Sequence, residues 1–307
     1  LPIAPGTNLL HDQPVELRIA ALPLWRGEIK VTLLKGGISN ESYVVEDEKR
    51  KYVVRFGKDY PFHHVFRDRE AMTAKAAHRA GFAPELFHAG DGVMVTAFLG
   101  ARTYDSGDVR ANIPRVAEMI RQFHTTMPEH ILGPGFMFWV FHVIRDYART
   151  LQTGNSRMVP HLGAYLAIAA EMEAAQRPLP IIFSHNDLLP ANILDDGERL
   201  WLIDFEYAGF STAMFDLAGL ASNAGLDDTE SEALLAAYFK SPPDLELKRA
   251  HAAMQCASLL REAMWSMVSE LYLSAPGVDY VAYTAENLRR LDQALDRYRS
   301  TYGKTAS

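Results

Sequence analysis

The chain has 307 residues, length enough for two units, and its 48% hydrophobic and 22% charged residues are ordinary for a water-soluble globular protein. No run approaches the roughly 18 apolar residues of a membrane span, the first residues lack the basic and apolar regions of a secretory signal, and at a formal charge of −7 no Lys/Arg block marks a nucleic-acid partner. A single cysteine, Cys256, excludes an intrachain disulfide and fits a cytoplasmic protein.

Val31-Thr32-Leu33-Leu34 and Tyr43-Val44-Val45-Glu46 are β-branched or apolar runs that predict two strands. Gly36-Gly37-Ile38-Ser39-Asn40 between them predicts a glycine-rich turn, and residues 51–56 a third strand. Residues 66–79 predict a helix stopped at Gly81, and 93–98 a further strand followed by a connector. From about residue 102 the pattern turns helical. Helices are predicted at 113–125, 160–176, 214–223, 229–239, 245–272 and 280–299, with an irregular segment at 128–140 leading into a helix. Short apolar strands are expected at 181–183 and 201–203. The expected class is α+β: a β-rich N-lobe with one main helix over 1–98, a hinge at 99–102, and a mostly helical C-lobe over 103–307. Cys256 lies in an apolar helical stretch and reads as a buried, inert thiol.

The strongest chemical signal lies between the two short strands. His185-Asn186-Asp187 is followed by Asn192, an apolar pair, a polar turn at Asp195-Asp196-Gly197, a strand, and then Asp204-Phe205-Glu206. Phosphoryl transfer needs a carboxylate near the attacking hydroxyl and oxygen ligands for cations that bridge the phosphates. An Asp with an Asn five residues on, in a loop, can supply the first at Asp187 and a ligand oxygen at Asn192. The next strand returns Asp204 as a second hard oxygen, which suits magnesium.

These residues resemble the catalytic and metal-binding loops of the protein-kinase-like superfamily, in its aminoglycoside phosphotransferase and choline/ethanolamine kinase branch. Asp204-Phe205-Glu206-Tyr207 and Phe215-Asp216-Leu217-Ala218 are similar to choline kinases. Further echoes fall in the family's order at 36–40, 52–57, Phe123-His124 with Met127-Pro128, and Met264-Trp265-Ser266. The resemblance implies a protein-kinase-like bilobal fold and transfer of the γ-phosphate of ATP with Mg2+. It makes Asp187 the base or hydroxyl-orienting residue, Asn192 and Asp204 the magnesium ligands, and His185 a brace for the loop. Glu206 reads as a further carboxylate near the metal.

In the N-lobe, Gly37 lets the backbone approach phosphate, and Ser39 and Asn40 can arrange hydrogen bonds there. Arg55 stands where protein kinases place a lysine, and choline kinases resemble this chain in having arginine. Its fork suits phosphate oxygens, and Glu70 is the carboxylate expected to hold it. By the same resemblance adenine lies against the connector at 96–99, with Thr96 and Phe98 among its contacts.

The acceptor is expected in the C-lobe beside Asp187. Cationic alcohols such as choline are held by aromatic faces and a carboxylate, for which Tyr207, Trp265 and Glu262 are candidates. The chain departs from the eukaryotic choline-kinase pattern at two of these places. Asn223 stands where an acidic residue is frequent, and Glu262 where a second tryptophan is common. The acceptor thus stays open between choline, ethanolamine, another amine-bearing metabolite and an aminoglycoside. A nucleotide-binding pseudokinase is the rival from another class, and the presence of Asp187, Asn192 and Asp204 speaks against it. His63-His64 lack a zinc-ligand set, and no Lys-Ser/Thr follows Gly133-Pro134-Gly135 to make a phosphate loop.

Overall fold

The computed structural model describes residues 14–34, 41–274 and 277–303. Gly37, Ser39 and Asn40 lie outside the described residues. The chain divides into two compact units, one drawn from Leu1–Lys58 and Pro84–Leu99, the other from Asp59–Ala83 and Gly100–Ser307. Residues 59–83, which separate two strands of the first unit in sequence, group with the second.

The first unit holds helix α1 (Val15–Ala20) and strands β1 (Lys30–Leu34), β2 (Glu41–Glu46), β3 (Lys51–Phe56), β4 (Leu86–Gly90) and β5 (Val93–Ala97). They form an antiparallel sheet in the order β1-β2-β3-β5-β4. Strand side chains alternate between faces, so Tyr52, Val54 and Phe56 enter the core with Val45, Val95 and Ile19 of α1. Arg55 falls on the other face of β3, opposite Ser42 on β2 and Met94 on β5. β4 escapes the sequence reading because Leu86-Phe87-His88-Ala89-Gly90 has no β-branched residue, and its register slips between Leu86 and His88.

The second unit contains α2 (Arg67–Arg79), β6 (Arg102–Thr103), α3 (Ser106–Ala111), α4 (Ile113–Thr126), α5 (Val140–Thr153) and α6 (Leu162–Ala174). Then come β7 (Ile181–Ser184), β8 (Ile193–Asp195), β9 (Leu200–Leu202) and β10 (Gly209–Thr212), followed by α7 (Ala213–Ala224), α8 (Asp228–Phe239), α9 (Leu245–Tyr272) and α10 (Tyr280–Tyr302). The expected α+β class is the one observed. α9 is the axis of this unit, packed by α5, α6, α7 and α10. Small residues at Ala250, Ala253, Ala257 and Ala263 let those neighbours close in, and Met254, Leu260, Met264 and Met267 fill the remaining space. Cys256 is buried there too, and burial pushes its thiol up to about 12, an unreactive state at neutral pH. Asp105, Asp227, Asp244 and Asp279 cap α3, α8, α9 and α10 through their side chains. Among the described residues no helix is long and apolar enough to cross a membrane.

Two short sheets carry the motif region. β7 pairs antiparallel with β10, and β8 pairs with both β6 and β9. The loop at 185–192 leaves β7 and enters β8, while residues 203–208 run from β9 to β10.

Candidate active site

Asp216, on α7, fixes the start of the 185–192 loop. The backbone N–H of His185 donates to its Oδ2 at 2.8 Å, and that of Asn186 to its Oδ1 at 2.7 Å. His124 Nε2 of α4 donates to the same Oδ2 at 2.8 Å, and the Tyr238 hydroxyl lies 2.8 Å from His124 Nδ1. Burial works to raise the Asp216 carboxyl, but the His124 imidazole and the backbone donors outweigh it and hold the group below its ordinary value. A buried carboxylate with this many donors is a rigid anchor for the loop.

The loop is tied to the second one by side chains that point back into the protein. His185 is fully buried, and its Nε2 donates to the Ile203 carbonyl at 2.9 Å, one residue before Asp204. Burial lowers its basicity, and Phe205 lies 5.1 Å from its ring. The His185 proton is therefore committed to holding two loops together rather than placed for transfer. Asn186 adopts φ +62°, in the left-handed region that asparagine tolerates, and its Nδ2 donates to the Tyr207 carbonyl at 3.1 Å. Asp204 also has a positive φ, +67°. Such backbone persists where surrounding structure enforces it, and here it marks the two loops of the motif.

Asn192 Nδ2 donates to the Asp187 carbonyl at 2.9 Å, and its own carbonyl accepts from Ile203 N at 3.1 Å. With the amide nitrogen spent inside the loop, the amide oxygen is the atom left to meet a cation. Oxygen from Asn192 and carboxylate from Asp204 are hard donors of the kind magnesium takes alongside phosphate and water oxygens. Among the described residues no group of three His, Cys, Asp or Glu side chains forms a metal cage. A pair of such oxygens could hold an ion completed by its substrate rather than a structural one.

Asp187 is half-buried, two residues past His185 in the same loop. Burial pushes its carboxyl well above the usual carboxylate range; Arg261 pulls it down, while Glu262, Asp204 and Glu206 add to the rise. A carboxylate in such a setting is a stronger base than one in water. Glu206 is held from the other side by Arg67 of α2, whose Nη1 lies 3.0 Å from Glu206 Oε2 and 2.6 Å from Glu70 Oε2. Arg67 and the buried Glu70 thus pair within the second unit, while Arg55, the expected partner of Glu70, belongs to the first.

The acceptor candidates fall together in the second unit. Trp265 Nε1 donates to the Tyr207 hydroxyl at 3.0 Å, and Glu262 accepts from the Tyr283 hydroxyl at 2.8 Å. Asn223 Nδ2 donates to the Leu188 carbonyl at 3.2 Å and so steadies the 185–192 loop. Thr96 pairs with Val53 inside the first sheet, and Phe98, 39% exposed, donates its N–H to the Lys51 carbonyl at 3.1 Å. His124, Asp216, Tyr283 and Arg261 were not singled out as site residues from sequence. Asp216 carried a signal in the Phe215-Asp216 motif, but its task becomes visible when α7 is packed behind the loop.

A chain of two units, one an antiparallel sheet and the other helical with paired loops bearing Asp187, Asn192 and Asp204, has the build of a kinase-like phosphotransferase. The model of the phosphotransferase enzyme family matches residues 30–252, and the chain belongs to that family. Protein LicA of Haemophilus influenzae is 24% identical over 271 residues, which cover 85% of this chain and 77% of that protein. A solved choline/ethanolamine kinase family protein from Mesorhizobium loti matches at a TM-score of 0.74 and 25% identity, covering 94% of this chain and 97% of that one. The crystal structure of LicA in complex with AMP matches at a TM-score of 0.71 and 20% identity, over 92% of this chain and 96% of that one. The protein-kinase-like fold and the kinship with choline/ethanolamine kinases, expected from the motifs, are both found. The protein is an enzyme, a phosphotransferase.

Proposed function

We propose that the protein transfers the γ-phosphate of ATP, with magnesium, to the hydroxyl of a small alcohol that carries an amine, the class to which choline and ethanolamine belong. The observation that carries this reading is that Asp187, Asn192 and Asp204 lie on two loops tied to each other at Ile203 through His185 and Asn192, with Asp216 anchoring the first of them. Asp187 orients the acceptor hydroxyl and takes its proton as the oxygen attacks phosphorus, a role suited to a carboxylate whose basicity burial has raised. Asn192 Oδ1 and the Asp204 carboxylate would hold magnesium, which when bound neutralises charge on the phosphate oxygens. On the first unit the nucleotide is assigned to Gly37, Ser39, Asn40, Arg55, Thr96 and Phe98. The AMP bound to LicA and the names of the kinase relatives support an adenine nucleotide and an amine-bearing alcohol.

The test is coupled measurement of ADP release across choline, ethanolamine, thiamine and kanamycin, with the wild type and Asp187→Ala. Acceptor-dependent turnover that falls about 1,000-fold in the variant supports the reading. Undiminished turnover in Asp187→Ala would sink it.

A further inference from the structure

The acceptor side of Asp187 contains a buried charge that the reading above leaves unused. Arg261 lies on α9 and is 4% exposed. Its Nη1 donates to Glu262 Oε2 at 2.9 Å, and its guanidinium carbon stands 4.4 Å over the centre of the Tyr207 ring. Nε and Nη2 have no hydrogen-bond acceptor among the described residues, although both atoms are buried. Guanidinium does not discharge to relieve such a situation, so its N–H groups call for an oxygen. Tyr207, over which Arg261 stands, lies in the 203–208 run that also carries Asp204, and the Arg261 charge works to lower the Asp187 carboxyl.

This arrangement is a poor receptor for a quaternary ammonium. One face of Tyr207 is already taken by a cation, and a face of Trp265 is stacked by His63 with ring centres 5.0 Å apart. A second cation there would meet a fixed positive charge at short range. Glu262 is different. Each of its oxygens has one partner, Arg261 Nη1 and the Tyr283 hydroxyl, so lone pairs remain for an ammonium donor, and its side chain is 29% exposed. Cation and anion stand side by side, one lacking acceptors and the other able to take donors.

We infer that the acceptor is zwitterionic, a small hydroxylated amino acid whose carboxylate is read by Nε and Nη2 of Arg261 and whose ammonium is read by Glu262. This rests on the phosphotransfer reading and narrows its substrate class. The geometry of a carboxylate matches the guanidinium fork, which makes Arg261 a specificity residue for an anionic group next to the reacting hydroxyl.

The experiment compares L-serine and L-homoserine with ethanolamine and choline, using the full chain with magnesium and ATP. One of the hydroxy amino acids should exceed ethanolamine in kcat/KM by about ten-fold or more, since the site then satisfies a buried fork. Arg261→Met should erase that preference through KM, and Arg261→Lys should retain part of it because it keeps the charge without the fork. Calorimetric titration of the same four compounds in the presence of a non-hydrolysable ATP analogue reads the ranking without turnover. Tighter binding of choline or ethanolamine than of both hydroxy amino acids overturns the inference, as does an unchanged ranking in a folded Arg261→Met. Should that variant fail to fold, Arg261→Lys decides alone. If the amino acids bind first but none of the four compounds is phosphorylated, the phosphotransfer reading fails and the charge assignment stands.

Discussion

The Asp216 carboxylate and the His124 imidazole meet at 2.8 Å with both side chains wholly shielded from solvent. Through this pair helices α7 and α4 are joined behind the loop that bears Asp187, and the same carboxylate accepts from the backbone of His185 and Asn186. Three donors on one carboxylate cannot all be served by an amide, whose nitrogen would face one of them.

Asp216→Asn should therefore lose about 3 kcal/mol of stability at neutral pH, the scale of breaking a buried pair. Turnover should fall about 100-fold, because a displaced loop misplaces Asp187. The folded-state pKa of Asp216 is depressed, so its contribution is present above the ordinary carboxylate value and is lost as pH falls through the lower folded value. Urea unfolding at pH 7 and below about pH 4 checks this: the gap between wild type and variant should narrow in acid. An equal gap at both pH values would argue against a charged Asp216.

A second pH effect comes from His63, buried beneath Trp265. Its Nε2 lies 2.9 Å from Ser269 Oγ, and Ser269 gives its own proton to the Trp265 carbonyl, so Nε2 is the donor and Nδ1 faces the Tyr147 hydroxyl. Burial, with Arg261 and His64 nearby, lowers its pKa to about 2. Below about pH 6.5 the unfolded chain binds a proton at this residue that the folded chain refuses. The stability it contributes is thus complete above that pH and is lost at about 1.4 kcal/mol per unit as pH falls toward the folded value. His63→Gln keeps hydrogen-bonding capacity and does not titrate. Its unfolding free energy should decline less steeply between about pH 6.5 and 5, by close to one proton's worth. Parallel slopes for the two proteins would show that His63 is not held neutral.

The two loops that bear Asp187, Asn192 and Asp204 were legible because their signal is local. His185, Asp187, Asn192 and Asp204 fall within twenty residues of one another, and their spacing already implies a strand, a loop and a returning strand. The brace behind them was not, since His124 is 92 positions from Asp216 and 114 from Tyr238. No periodicity reports a contact of that range. Strands β6 and β10 were invisible for another reason: they have two and four residues, and pairing rather than propensity makes them strands. Arg261 hid beside Glu262 on an amphipathic pattern in which a charged pair reads as a solvated helix edge. Its burial follows from α9 being surrounded, which the sequence of α9 alone does not reveal.

Arg67 gives the last prediction. Its Nη1 bridges Glu70 and Glu206, whose side chains are 1% and 9% exposed, and so ties α2 to the residue two places beyond Asp204. Taking that cation away as Arg67→Met should cost about 2 kcal/mol, the scale of hydrogen bonds to charged groups. It should also raise the magnesium concentration needed for half-maximal activity, because Glu206 then pulls the Asp204 loop out of place. These two bonds leave the same nitrogen, so a lysine that brings Nζ to that point can replace the charge and this bridge. Arg67→Lys should accordingly recover most of the stability and of the magnesium response, which thermal melts and magnesium titrations of the two variants will read. Equal losses in both variants would mean that the remaining guanidinium nitrogens, rather than the bridge through Nη1, hold Arg67 in place.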